Sequence, residues 1–88
     1  MSSSQWIDTM IEEDFRPCNL EERARSAVKA LMIEYNERLI KDSLRKAIRQ
    51  AKGLARQENR SICEYLQVAL DKNWLEEFCE SYANPMID

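Results

Sequence analysis

Apolar residues recur at three- and four-residue steps along nearly the whole chain, which is the period of a helix face and not the alternation of a strand. Trp6, Ile7, Met10, Ile11 and Phe15 form the first such set. They predict a short amphipathic helix over 4–14, closed by Arg16-Pro17 because proline cannot continue it. Asn19 followed by Glu22 has capping-box spacing and opens a second helix over 20–36, with Leu20, Ala24, Ala27, Val28, Leu31 and Tyr35 on its inner face. Glu21 with Arg25, Glu34 with Arg38 and Glu37 with Lys41 stand four residues apart in the order that favours ion pairs along a helix.

No Gly or Pro interrupts 20–52, so one long helix is a possible reading. At ~100° per residue, however, the stripe of 20–35 and that of Ile40, Leu44, Ala47, Ile48, Ala51 and Leu54 point about 180° apart. One core cannot take both faces of one straight helix. A turn near 36–42 and a third helix over 42–57 are therefore predicted, and with them a monomer that closes its own core; the alternative is an extended helix shared between two chains. Gly53 in this helix costs about 1 kcal/mol relative to Ala and marks either a close crossing or mere tolerance. After the polar break at Glu58-Asn59-Arg60, Ser61 and Glu64 form another capping-box pattern, starting a helix over 62–71 with Ile62, Cys63, Leu66, Ala69 and Leu70 inward. The stripe then rotates to Trp74, Leu75, Phe78 and Tyr82, Asn73 with Glu76 is placed to cap a fifth helix over 74–83, and Asn84-Pro85 ends it.

Composition supports this reading: one Gly and two Pro in 88 residues leave too few turn residues for hairpins, sandwiches or barrels. The expected fold is all-α, a single domain over 1–88 built as a compact bundle of four to five short helices. The three cysteines, Cys18, Cys63 and Cys79, are an odd number without a C-x-x-C pair, and the chain has no His. Three reduced, buried thiols, no disulfide and no structural zinc are expected, which suits a cytoplasmic protein. The start Met-Ser-Ser-Ser has no basic region, and the longest strictly apolar run is Ala30-Leu31-Met32-Ile33, so neither signal peptide nor membrane span is expected.

Charge is where the chain becomes informative. Its net charge of −3 conceals a basic middle: residues 41–60 hold 7 cations and 2 anions, whereas 61–88 hold 1 and 6. On a helical wheel Lys41, Arg45, Arg49, Lys52 and Arg56 fall within about 80° of one another, beside the apolar stripe, and Arg60 in the next loop extends the line. Such a row can follow a phosphate backbone, releasing counterions at each contact. It can equally be a solvated face, or pair with the acidic ends of neighbouring helices. Tyr65 is the aromatic nearest in sequence that could add base stacking.

Ala47-Ile48-Arg49-Gln50-Ala51, Asn59-Arg60-Ser61, Tyr65-Leu66-Gln67-Val68-Ala69-Leu70 and Asn73-Trp74 together resemble the C-terminal helical motif of DnaD-like primosomal proteins, over roughly residues 44–75. The resemblance implies a replication role, contact with single-stranded DNA or a replication protein, and a tyrosine-centred helix in that contact. The chain departs from the motif where Ala69 replaces a bulky isoleucine and Leu75-Glu76-Glu77 replaces a basic tail.

Catalysis has little to work with. Glu76-Glu77-x-x-Glu80 has the spacing of half a magnesium-binding motif, but the partner acidic segment is missing. There is no Gly-rich phosphate loop or dinucleotide fingerprint, and without His the commonest general base is gone. The expectation is a non-enzymatic module without cofactor or metal, binding nucleic acid through Lys41, Arg45, Arg49, Lys52, Arg56, Arg60 and Tyr65. The alternative is an acidic protein-interaction module, a regulator or phage-type inhibitor that touches no nucleic acid.

Overall fold

The computed structural model describes residues 5–83, the last two by backbone alone. Among them are five α-helices and no strand: α1 (Gln5–Asp14), α2 (Glu21–Leu31), α3 (Glu37–Gln57), α4 (Ile62–Ala69) and α5 (Lys72–Ala83), with a 3-10 turn at Arg16–Cys18. The expected start at Ser4, the Tyr82 side chain and the stop at Asn84-Pro85 lie outside the described residues.

The break between the second and third helices exists, but it comes earlier than the 36–42 read from the sequence. α2 ends at Leu31, the chain turns through Met32–Tyr35, and Asn36 caps α3 by accepting from the Leu39 N–H at 2.8 Å. That cap puts Ile40 in register with Leu44, Ala47, Ile48 and Ala51, and all five are buried. At ~1.5 Å per residue the 21 residues of α3 span about 31 Å. Around its inner face one apolar cluster gathers Ile7, Ile11 and Phe15 from the first helix and its exit, Val28 and Leu31 from α2, Leu66 and Leu70 from the α4 segment, and Leu75, Phe78 and Cys79 from α5.

Two caps differ from the sequence reading. Asn19 does not cap α2: it sits in the left-handed region (φ 61°), where it closes the 3-10 turn, with Asn19 N–H bonded to Arg16 O at 2.9 Å and Leu20 N–H to Phe15 O at 3.0 Å. Asn59 (φ 59°) closes α3 in the same way, through Arg60 N–H to Ala55 O at 2.7 Å and Asn59 N–H to Arg56 O at 3.1 Å. Both are Schellman-type closures in which asparagine, the residue that best tolerates this region after glycine, stands in glycine's usual place. The chain's lone glycine, Gly53, meets nothing where a Cβ would project, so no close crossing requires it. The Ser61–Glu64 capping box forms as read, with reciprocal bonds of 3.1 and 3.3 Å. α5 begins before the expected 74 because Asp71, not Asn73, accepts from the Trp74 N–H at 2.8 Å.

The cysteines overturn an expectation. Cys18, at the end of the 3-10 turn, and Cys63, in the first turn of α4, are disulfide-bonded across 45 residues of sequence, leaving only Cys79 free. An odd count excludes a fully paired set, not a single pair, and sequence spacing does not report which residues the fold brings together. The bond ties the exit of α1 to the start of α4 and runs against a reducing, cytoplasmic setting, where disulfides rarely persist. Cys79 is buried on α5, and burial pushes its thiol up despite the opposing influence of the Ser43 hydroxyl from α3. Among the described residues no helix is long and apolar enough to cross a membrane.

Candidate nucleic-acid interface

The long helix has a different neighbour on each flank. α5 packs along one, burying Ser43 and Cys79. α1 lies along the other, with Met10 beside Ile48, and here the two helices leave open grooves between them. The expected cations rise along this second flank.

Arg45, Arg49 and Arg56 are exposed, and none has an ion-pair or hydrogen-bond partner among the described residues. Lys41 is half-buried, its ammonium 6.0 Å from the centre of the Trp6 ring, a cation–π contact. Lys52 pairs with Asp14 of α1 at 3.5 Å, and Arg60 pairs locally with Glu58 at 3.4 Å. Tyr65 is elsewhere: it is half-buried against the edge of Trp74, ring centres 6.5 Å apart, and Trp74 in turn meets Phe78 at 5.7 Å. The structure thus gathers Lys41, Arg45, Arg49, Lys52 and Arg56 into one row and sets Tyr65 in an aromatic run among α4 and α5.

Two residues of this face escaped the sequence reading. Arg38 was assigned to the second helix as a partner for Glu34. Because α3 begins at Glu37, Arg38 joins the row, separated from Arg56 by 18 residues or about 27 Å of helix. It too is exposed and has no partner among the described residues. The signal for it was Asn36, a strong N-cap residue two positions earlier. The second is Trp6, whose helical spacing marked only a core face. Its indole N–H donates to Glu37 Oε2 at 2.8 Å, which fastens the ring onto α3. No sequence signal links residues 6 and 41; only the packing of α1 on α3 joins them.

The grooves run along this row. One of about 320 Å³ is lined by Met10, Asp14, Arg45, Ile48, Arg49 and Lys52. The next, about 420 Å³, extends to Trp6, Thr9 and Glu13, and a third of about 350 Å³ lies between Trp6, Arg38 and Lys41. The α3 wall carries Arg38, Lys41, Arg45, Arg49 and Lys52, with Glu37 as its one carboxylate among these lining residues. The α1 wall carries Glu13 and Asp14.

The expected (i, i+4) pairs are not what the other charges do. Arg25 reaches Asp8 at 2.6 Å, and Glu34 and Glu76 both hold Lys72, at 3.0 and 3.5 Å. The Tyr35 hydroxyl donates to Glu76 at 3.3 Å. Glu76 is therefore engaged in holding α5 to the end of α2, whereas Glu77 and Glu80 are exposed. Among the described residues no three His, Cys, Asp or Glu side chains are grouped to hold a metal. No protein-family model, curated protein or solved structure matches this chain.

Proposed function

We propose that this is a small, non-enzymatic nucleic-acid-binding module, acting in replication or another DNA transaction, whose contact surface is the cationic row of α3. The observation that carries the reading is the set of open arginines. Arg38, Arg45, Arg49 and Arg56 share one face of one rigid helix, whereas Arg25, Lys52 and Lys72 are each held in an ion pair with a residue of another segment. Leaving four guanidinium groups unpaired in line does nothing for the fold, since exposed charges of one sign repel. A phosphate backbone is the chemistry that matches them. The resemblance of residues 44–75 to the DnaD-like motif supports a replication setting. Tyr65, which that resemblance would put in the contact, is packed against Trp74, so the phosphate-binding task rests on α3. One apolar cluster takes the inner faces of all five helices, which supports a monomer.

The test is fluorescence anisotropy of a labelled oligonucleotide across a salt series. Four phosphate contacts on a single strand give a log–log slope of about −3. No binding by the wild type at ~50 mM salt overturns the proposal. A second reading, a protein-interaction module, draws on three exposed apolar side chains, Met32, Ile33 and Val68, of which Ile33 is 85% and Val68 77% exposed. On that reading the oligonucleotide stays free, and Ile33→Ser or Val68→Ser weakens association with a partner that offers an apolar face.

A further inference from the structure

We propose that Trp6 is the base-stacking residue of this interface, and that the α1/α3 groove fixes the orientation of a bound single strand: phosphates along α3, bases toward α1. This deepens the reading above and rests on it.

Three observations meet at Trp6. The ring is half-buried against the core and lies in line with the cations, with Lys41 over it at 6.0 Å, so a base stacks there by taking the place of that ammonium, which then turns to the phosphate. Its edge is held by the 2.8 Å bond to Glu37, so its orientation is set before any ligand arrives and little entropy is lost on stacking. The indole also lines both the groove shared with Met10 and Arg45 and the groove shared with Arg38 and Lys41. At about 420 and 350 Å³, both grooves lie open along the surface, which leaves a strand access to the ring. An aromatic face beside a cationic track is the arrangement that recognises unpaired bases, because every base has a π-face and the backbone supplies the charge.

The charges of the two walls then assign direction. Glu13 on the α1 side repels phosphate, Asp14 beside it being paired with Lys52, while on the α3 side Arg38, Arg45 and Arg49 attract phosphate and outnumber Glu37, whose carboxylate accepts from the Trp6 indole. A strand lying in the groove therefore keeps its backbone against α3 and turns its bases toward Trp6, Thr9 and Met10. A duplex offers no unstacked base to Trp6 and brings a second phosphate strand toward the acidic wall, so it binds less well.

The experiment compares a labelled oligothymidylate with an abasic phosphodiester oligomer of the same length, by anisotropy at low salt. Wild-type protein is expected to bind the thymidylate about tenfold tighter. Trp6→Leu keeps the apolar bulk but has no ring face, so within that variant the thymidylate and the abasic oligomer should bind equally, whatever the change in their common affinity. Trp6→Phe keeps a ring face but loses the N–H bond to Glu37, so it should retain part of the preference. Equal binding of the two oligomers by the wild type, or a preference that survives Trp6→Leu, overturns the stacking proposal alone. Failure of both oligomers to bind overturns it together with the nucleic-acid reading.

Discussion

The helices on the two flanks of α3, α5 and α1, differ in how the charges around them are met. On the α5 flank the charges close on one another: Lys72 bridges Glu34 and Glu76, and Tyr35 donates to Glu76, joining the end of α2 to α5. On the α1 flank Lys52 finds Asp14 and Lys41 finds Trp6, but the arginines between and beyond them stay open. α5 follows α4 after a short break and lies against α3, whereas on α1 Asp8 is taken by Arg25 of α2 and Asp14 by Lys52, so neither reaches the arginines. Paired charges mark where the fold is held. The unpaired row lines, through Arg45 and Arg49, the open grooves between α1 and α3.

The largest test of that contrast lies at the far end of α1, where the Cys18–Cys63 bond anchors this flank. Closing a loop of 45 residues stabilises a domain by about 4 kcal/mol in the chain-entropy view. Cys18→Ser with Cys63→Ser should lower the unfolding free energy measured in a urea melt by about that amount, and thiol-specific mass labelling of protein isolated from its native cells should find one free cysteine, Cys79. Three labelled thiols would restore the reducing, cytoplasmic expectation. Next in size is charge reversal on the open row. Arg45→Glu with Arg49→Glu should cut oligonucleotide affinity by about a hundredfold or more and leave the melting curve within ~0.5 kcal/mol of wild type. Unfolding of this variant would mean that the arginines support the fold after all.

Trp74→Ala probes the aromatic run that joins α4 to α5. The ring is half-buried, so the loss should be about 2 kcal/mol, below the ~3–5 kcal/mol of a fully buried tryptophan, with binding unchanged. Gly53→Ala should act in the opposite direction. With open space where the Cβ would go, the helix gains about 1 kcal/mol in a urea melt. The smallest effect is a pH dependence confined to the α5 flank. Burial, then the nearby carboxylates, raise the Tyr35 phenol, and the bond to Glu34 raises Lys72. A raised folded pKa favours the protonated form, so this stability is fully present below the ordinary values of about 10 and is lost as the pH rises through the raised ones. Lys72 holds Glu34 below the usual carboxylate range, so that contribution is present above about pH 4.3 and fades as the pH falls through the lowered pKa. Tyr35→Phe with Lys72→Gln should show a shallower alkaline decline in thermal melts than wild type.

The sequence by itself determined what depends on neighbours within a few residues. Helical period, the scarcity of Gly and Pro, the Ser61–Glu64 box and the opposed stripes of α2 and α3 are local or additive, and they were sufficient for an all-α fold with a break after the second helix. The cationic row was legible for the same reason, since residues 45, 49, 52 and 56 share a face of any helix they belong to. Where two local signals competed, tertiary structure chose. Asn19 and Asn73 had capping spacing, but the turn at Phe15–Leu20 drew Asn19 into a left-handed closure, and Asp71 stood two residues ahead of Asn73. Three-dimensional packing alone decided the long-range pairs: Cys18 with Cys63, Lys72 with Glu34, Trp6 with Glu37 and Lys41. Each joins residues separated by more than 30 positions, and nothing in one amino-acid string measures the distance between helices. For that reason Tyr65, near the row in sequence, lies in the aromatic run, and Trp6, far from it in sequence, lies beside the arginines.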